Sequence, residues 1–277
     1  MIIDTHAHLW RRDRHPQPWI DPGSAIDRDF WVEDLARAQE ASGIDGAIVV
    51  QAAHALSEGH DLLAASDGRV IRGVVAWVDL EGDVAAQLSA LRSGLGGSRL
   101  VGIRHLAHVD PDPGWLDRPS VGAGFEALDG LPFDLVVRAD QLELAARVVA
   151  RHPGVSFVLD HIGKPPITAA LDEWRSGLLA LAALPNVVAK LSGITIEASW
   201  ATWTTADLAP AARIAIDAFG PSRLMFGSDW PLVDLCGGLD AWLSAATELT
   251  EGFSPAERSA FFGGTAAATY SLELPDA

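Results

Sequence analysis

Short apolar runs recur along the whole chain, and each stops at a polar, glycine or proline position. There are eight: IIDTHAH, GAIVVQA, IRGVVAWVD, LVGIRHL, FDLVVRA, SFVLDHIG, NVVAKLSG and RLMFGSDWP. They are rich in β-branched residues and close to continuous in apolar character, which predicts parallel strands covered on both faces. Helical periodicity fills the intervals. WVEDLARAQEAS, followed by Gly43, predicts a helix with a glycine stop. DQLELAARVVARHPG predicts another, with Asp140 as N-cap, His152 in the last turn and Pro153 beyond it. TADLAPAARIAIDAFG repeats the plan, with Pro210 expected to delay the start. Strand followed by helix, eight times over, predicts an α/β fold: a single (β/α)8 barrel over residues 1–277. Long loops are expected at Trp10–Phe30, over the barrel mouth, and at Val109–Val121.

Composition narrows the function more than the fold. The chain has 277 residues, 49% of them hydrophobic, enough for a large core, and a net charge of −17. That balance disfavours nucleic acid and anionic membrane as partners, because both select a basic face. With Cys236 as the only cysteine, no intrachain disulfide can form. The sequence shows neither a leader-like segment nor an apolar run of spanning length, so a cytoplasmic protein is expected. Self-association is left open.

Barrel chemistry gathers at the C-terminal strand ends. In chain order those ends carry His6 and His8, Gln51 with His54, Trp77 with Asp79, Arg104 with His105, Arg138, Asp160 with His161, Lys190 with Ser192, and Ser228, Asp229 and Trp230. His6 and His8 are two apart, so in a strand they share a face. Three imidazoles and a carboxylate, from His6, His8, His161 and Asp229, suit one divalent ion such as zinc. Asp229 is the expected general base. Gln51, Trp77, Arg104, His105, Arg138 and Trp230 are the expected substrate contacts. Lys190 is expected either to bind substrate or to pair with an acid such as Asp229. Asp160 adjoins His161, so alternation turns it the other way, as a buried structural partner. His15, His60 and His108 stay unassigned, and most of the tryptophans near strand-to-helix loops are read as loop anchors.

The motifs DTHAHLW, VVQAAH, VGIRHL, LDHIGKPPI, VVAKLSG, RLMFGSDWP and FFGGTAAATYSL resemble the amidohydrolase superfamily. The closer likeness is to its sugar-lactone and dicarboxylate-lactone hydrolases, a branch with L-fuconolactonase-like, L-rhamnonolactonase-like and pyrone-dicarboxylate-lactonase-like enzymes. The resemblance implies a hydrolytic centre of His6, His8, His161 and Asp229 and a small lactone substrate, a sugar-acid lactone foremost. Asp229 would activate water, His161, His8 or a metal would polarise the carbonyl, and Arg104 or His105 would steady the oxyanion. Binuclear members carry a bridging lysine or acid after strand four and a histidine after strand five. Here Arg104 with His105, and Arg138, occupy those places, so the expectation is one divalent ion, zinc foremost, or none. Two rivals remain open: a metal-dependent decarboxylase of a related branch, and a ligand-binding barrel without turnover.

Overall fold

The structure, a computed structural model, describes residues 1–273; the last residues of the expected domain, 274–277, lie outside them. Eight parallel strands pair in sequence order: β1 Ile3–Ala7, β2 Gly46–Val50, β3 Ile71–Ala76, β4 Leu100–His105, β5 Phe133–Leu135, β6 Phe157–Leu159, β7 Val187–Leu191 and β8 Leu224–Phe226. Each falls within one of the eight apolar runs. The ring closes just beyond β8, where a parallel bridge joins Ala7 to Trp230. There the His8 amide donates to the Trp230 carbonyl at 2.7 Å, and the Asp229 amide to that of His6 at 2.7 Å. Closure therefore passes through the very residues that carry the candidate chemistry.

The outer layer consists of α1 Val32–Ser42, α2 Leu56–Ala65, α3 Val84–Ser93, α4 Pro119–Glu126, α5 Leu142–Arg151, α6 Asp172–Ala182, α7 Thr205–Phe219 and α8 Leu239–Leu249. Two short helices follow, α9 Pro255–Ser259 and α10 Thr265–Tyr270. None of the described helices is long and apolar enough to cross a membrane. As expected, α1 stops at Gly43, whose φ of 68° lets its amide reach the Gln39 carbonyl.

Two helix starts depart from the sequence expectation. Asp140 does not cap α5: its carboxylate pairs with Arg138, Nε to Oδ1 at 3.0 Å. The helix is entered through a tight turn at Ala139–Gln141, where Gln141 Oε1 accepts from the Arg138 amide at 3.0 Å. Nor does Pro210 delay α7, which starts at Thr205 and runs straight through it. The Asp207 carboxylate accepts from the Thr204 amide at 2.8 Å and fixes the start. Pro210 sits on the exposed side, where water can satisfy the carbonyl it leaves free.

Inside the barrel, Ile3, Ile48, Val50, Val75, Val158 and Met225 form a small apolar core separate from the main helix–sheet core. Ala266 and Tyr270 belong to it. The closing helix α10 thus reaches into the barrel and plugs it from below, opposite the mouth.

Candidate active site

Asp4 begins the local assembly. Its Oδ1 accepts from the Ser228 amide at 2.8 Å and from the His6 amide at 3.0 Å, so one buried carboxylate locks the end of β8 against β1. Burial pushes Asp4 up to about 6, against the pull of its bonds to Ser228 and His6. Beyond it, His6 and His8 project the same way, as strand alternation requires. His161 arrives differently. Strand β6 ends at Leu159, and His161, Ile162, Gly163 and Lys164 all have positive φ, between 44° and 73°. This left-handed run swings the His161 ring over the mouth, where Nδ1 lies 2.9 Å from Ser192 Oγ. Asp229 is also left-handed, at φ 64°. Non-glycine residues rarely sit there, and they concentrate at functional sites.

His6, His161 and Asp229, all buried, each offer a ligand atom within 4.8 Å of the others. His8 Nε2 flanks them, 3.1 Å from His6 Nε2 and 3.4 Å from Asp229 Oδ1. The hydrogen-bond partners decide what these atoms present. His8 Nδ1 is 2.7 Å from the Val50 carbonyl, which can only accept, so Nδ1 carries the proton. His6 Nε2 is 3.1 Å from Arg104 Nη1 and its Nδ1 is 3.3 Å from Lys190 Nζ, so a cationic donor faces each ring nitrogen. The same Nδ1 also lies 3.2 Å from Asp160 Oδ1. The His8 Nε2 lone pair and the Asp229 carboxylate therefore face one small space beside the His6 and His161 rings, which calls for a cation. Zinc–nitrogen bonds of about 2.0–2.1 Å bracket two nitrogens at this separation. The donor set fits one divalent ion.

Electrostatics agree. Burial alone would raise Asp229, but His161, His8 and His6 outweigh it and hold the carboxylate well below its ordinary range. Burial pushes His161 down to about 4 against the pull of Asp229 and Asp160, and holds His6 well below the ordinary imidazole range. Near neutral pH the site holds an ionised Asp229 and neutral imidazoles at His6 and His161, as metal ligation needs.

Asp160 did not follow the alternation argument. With the strand finished at Leu159, Asp160 and His161 both reach the centre, Asp160 from beneath. It is a buried structural partner, as expected, but of the site itself. Arg104 Nη1 binds its Oδ2 at 3.0 Å, and Lys190 Nζ its Oδ1 at 3.0 Å. Burial would raise Asp160, yet Lys190, His6 and Arg104 together hold it well below the usual carboxylate range. Lys190 does pair with acids, though with Asp134 and Asp160 rather than Asp229. Asp134 and Tyr270 escaped the sequence reading. Asp134 was legible as a charge within an apolar strand run, whereas Tyr270 left no signal in the sequence.

The expected substrate contacts divide by place. Gln51 is buried, with Nε2 donating to the Arg104 carbonyl at 3.2 Å, and Arg104 returns a bond to the Gln51 carbonyl. Trp77 Nε1 donates to His105 Nδ1 at 3.1 Å, and His105 Nε2 faces Asp110 at 3.0 Å. His105 also stacks between His54 and Trp115, with ring centres 4.0 and 3.7 Å away. Arg138 is partly exposed, held by Asp140 and the His108 carbonyl. Trp230 is buried against Phe30. Trp10 and Trp203 anchor loops through indole bonds to the carbonyls of Arg28 and Cys236, at 2.8 and 2.7 Å.

Comparison with known proteins covers the whole barrel. The family described as Amidohydrolase matches residues 3–272. An L-fucono-1,5-lactonase from Burkholderia multivorans is 37% identical over 289 residues, covering 99% of this chain and 97% of that protein. A crystal structure of an amidohydrolase from Burkholderia multivorans with bound zinc superposes with a TM-score of 0.90 at 37% identity, covering 99% of this chain and 100% of that one. The 5-carboxyvanillate decarboxylase of Sphingomonas paucimobilis, at 17% identity and a TM-score of 0.62, covers 98% of this chain and 99% of its own and shares the fold alone.

Proposed function

This chain belongs to the amidohydrolase family, and on that footing we propose that it is a hydrolase that opens a sugar-acid lactone by attack of water on the ring carbonyl. The observation that carries the reading is Asp229, ionised and in a left-handed conformation, enclosed by the three imidazoles of His6, His8 and His161. The full-length likeness to an L-fucono-1,5-lactonase supplies the substrate class.

Asp229 accepts a proton from the attacking water as its oxygen bonds to the carbonyl carbon. The proton then passes to the ring oxygen as the acyl–oxygen bond breaks, leaving the hydroxy acid. His161, braced by Ser192, and His8, braced by the Val50 carbonyl, hold their rings toward the reacting carbonyl. His6, His8, His161 and Asp229 would hold one divalent ion, which when bound supplies Lewis-acid polarisation of a carbonyl or water. Arg104 backs His6 rather than standing free, so its support of developing charge acts through the shared field of the site.

Charge pairing favours a neutral sugar lactone over a dicarboxylate one. Arg104, Arg138, Lys164 and Lys190 are paired with Asp160, Asp140, Glu197 and Asp134 respectively. A substrate rich in carboxylates would need cations that are free to receive it. Trp77, His105, Arg138 and Trp230 are proposed to meet the sugar hydroxyls and ring face, in a cytoplasmic setting where the −17 charge disfavours nucleic acid and membrane partners.

The test is a pH-indicator screen of aldonolactones and dicarboxylate lactones. Proton release on a sugar-acid lactone is expected, and Asp229→Asn should lower kcat by at least about 100-fold. Carbon dioxide release from an aromatic acid, or near-normal turnover by the variant, would sink the reading.

A further inference from the structure

The short turn after β4, Ala107–Val109, is held by three side chains from two other loops. At its head the Leu106 amide donates to His54 Nε2 at 2.9 Å, from the loop after β2. The Ala107 carbonyl accepts from Gln141 Nε2 at 3.3 Å, and the His108 carbonyl from Arg138 Nη1, both from the loop after β5. Arg138 is itself fixed by Asp140, and His54 by its stacking on His105. Three successive residues of one turn thus each have a backbone group tied to a side chain from elsewhere in the barrel mouth. The side chain that this arrangement sets in place is that of His108.

The need to satisfy backbone groups accounts for the amide and the two carbonyls. It does not account for the ring. Nδ1 of His108 is buried and, among the described residues, has no hydrogen-bond partner. A buried polar atom without a partner is destabilising and uncommon in a folded protein. The ring also feels the charges of the centre. Burial, with Lys164, Arg104 and His161 adding to it, pushes His108 down to about 3 against the pull of Asp160. Near neutral pH the ring is therefore neutral, with one nitrogen a donor and the other an acceptor. A hydroxyl can donate or accept, so it satisfies Nδ1 whichever nitrogen carries the proton. A carboxylate can only accept, and the cations of the adjoining loops, Arg138 and Lys164, are already paired with Asp140 and Glu197, at 3.0 and 2.6 Å.

We propose that His108 is a substrate-binding residue whose ring forms a hydrogen bond with one hydroxyl of the lactone, and that His54, Arg138 and Gln141 fix the turn for that contact. Such a residue selects among neutral sugar lactones by hydroxyl position, because a lactone without that hydroxyl leaves a buried polar atom unpaired. This rests on the hydrolase reading and deepens it from a class of compounds to a recognised group.

The experiment measures kcat/KM of wild type, His108→Phe and His108→Ala on the best aldonolactone of the screen and on its deoxy counterparts, each lacking one hydroxyl. Folding is checked by circular dichroism. His108→Phe keeps a flat ring in the turn and removes both nitrogens, and His108→Ala decides the matter if that variant does not fold. Wild type is expected to lose on the order of 10-fold in kcat/KM when one particular hydroxyl is absent, the scale of a neutral hydrogen bond whose partner stays buried. The variants are expected to lose about as much on the full lactone and nothing further on that one deoxy compound, while responding to the other deoxy compounds as wild type does. Wild-type kcat/KM in a folded variant would overturn the proposal. So would an equal loss on every compound of the series, which would make His108 a support of the turn alone. If no lactone is opened at all, the hydrolase reading fails, and the same series is titrated calorimetrically into wild type and variants. The same non-additive pattern in Kd then sustains the role of His108, and its absence overturns it.

Discussion

Gly193 shows how narrowly single residues determine the site. It has a φ of 61°, and a Cβ there would fall 2.4 Å from His161 Nδ1. Gly43 has a similar φ of 68° with nothing within 4 Å of the same added carbon. The pair separates backbone strain from a collision. Left-handed strain alone costs about 1–3 kcal/mol. Gly43→Ala should therefore lower Tm and leave kcat unchanged. Gly193→Ala should lower both, because the His161 ring must leave Ser192. Equal kcat in the two variants would show that His161 tolerates displacement. His6, His8, His161 and Asp229 were legible because strand period and strand ends are written in the sequence. The roles of Asp134 and Tyr270 were not, because each is defined by a partner distant in the chain.

Among the elements, α2 carries a charge out of its usual range. Glu58, in its first turn, is 1% exposed, and its carboxylate accepts from the amides of Ala52 and Ala53 at 2.9–3.2 Å. It thereby ties the start of the helix to the loop that follows Gln51. Burial still outweighs these bonds and pushes Glu58 up to about 7. The folded protein therefore keeps a proton that the unfolded chain gives up from its ordinary value of 4.5. The stability this contributes is complete below about 4.5 and is lost as pH rises through about 7. Denaturant unfolding from pH 5 to 8 should show stability falling with pH, and Glu58→Gln should flatten that slope. An unchanged slope would place the titration elsewhere. The same scale shows where sequence reading stopped. All eight strands were legible, since apolar runs report burial on both faces. The entries to α5 and α7 were not, because Asp140 had a stronger partner in Arg138 and Pro210 faces water.

For the molecule as a whole, the donors at the mouth converge on one place, and among the described residues this is the one group found that could hold an ion. Elemental analysis of active protein is expected to give one divalent ion per chain. Prolonged chelation should lower both activity and Tm, since an ion bound only by the folded state stabilises it by mass action, and zinc should restore both. Two ions per chain, or full activity after complete removal, would refute this. The whole barrel was legible from the repeat of strand and helix, whereas its floor was not, because α10 reads as one more amphipathic end. That floor has a consequence for the order in which the protein is made. His6 and His8 leave the ribosome ahead of the other seven strands, and Tyr270 after all eight. While the chain is still being made, the histidine pair lacks His161 and Asp229, which complete the group. The interior stays open from beneath until residues 266–270 arrive. Competence is thus conferred late and at a stroke, and a nascent or stalled fragment that displays the opening motif carries the ligands without the enzyme.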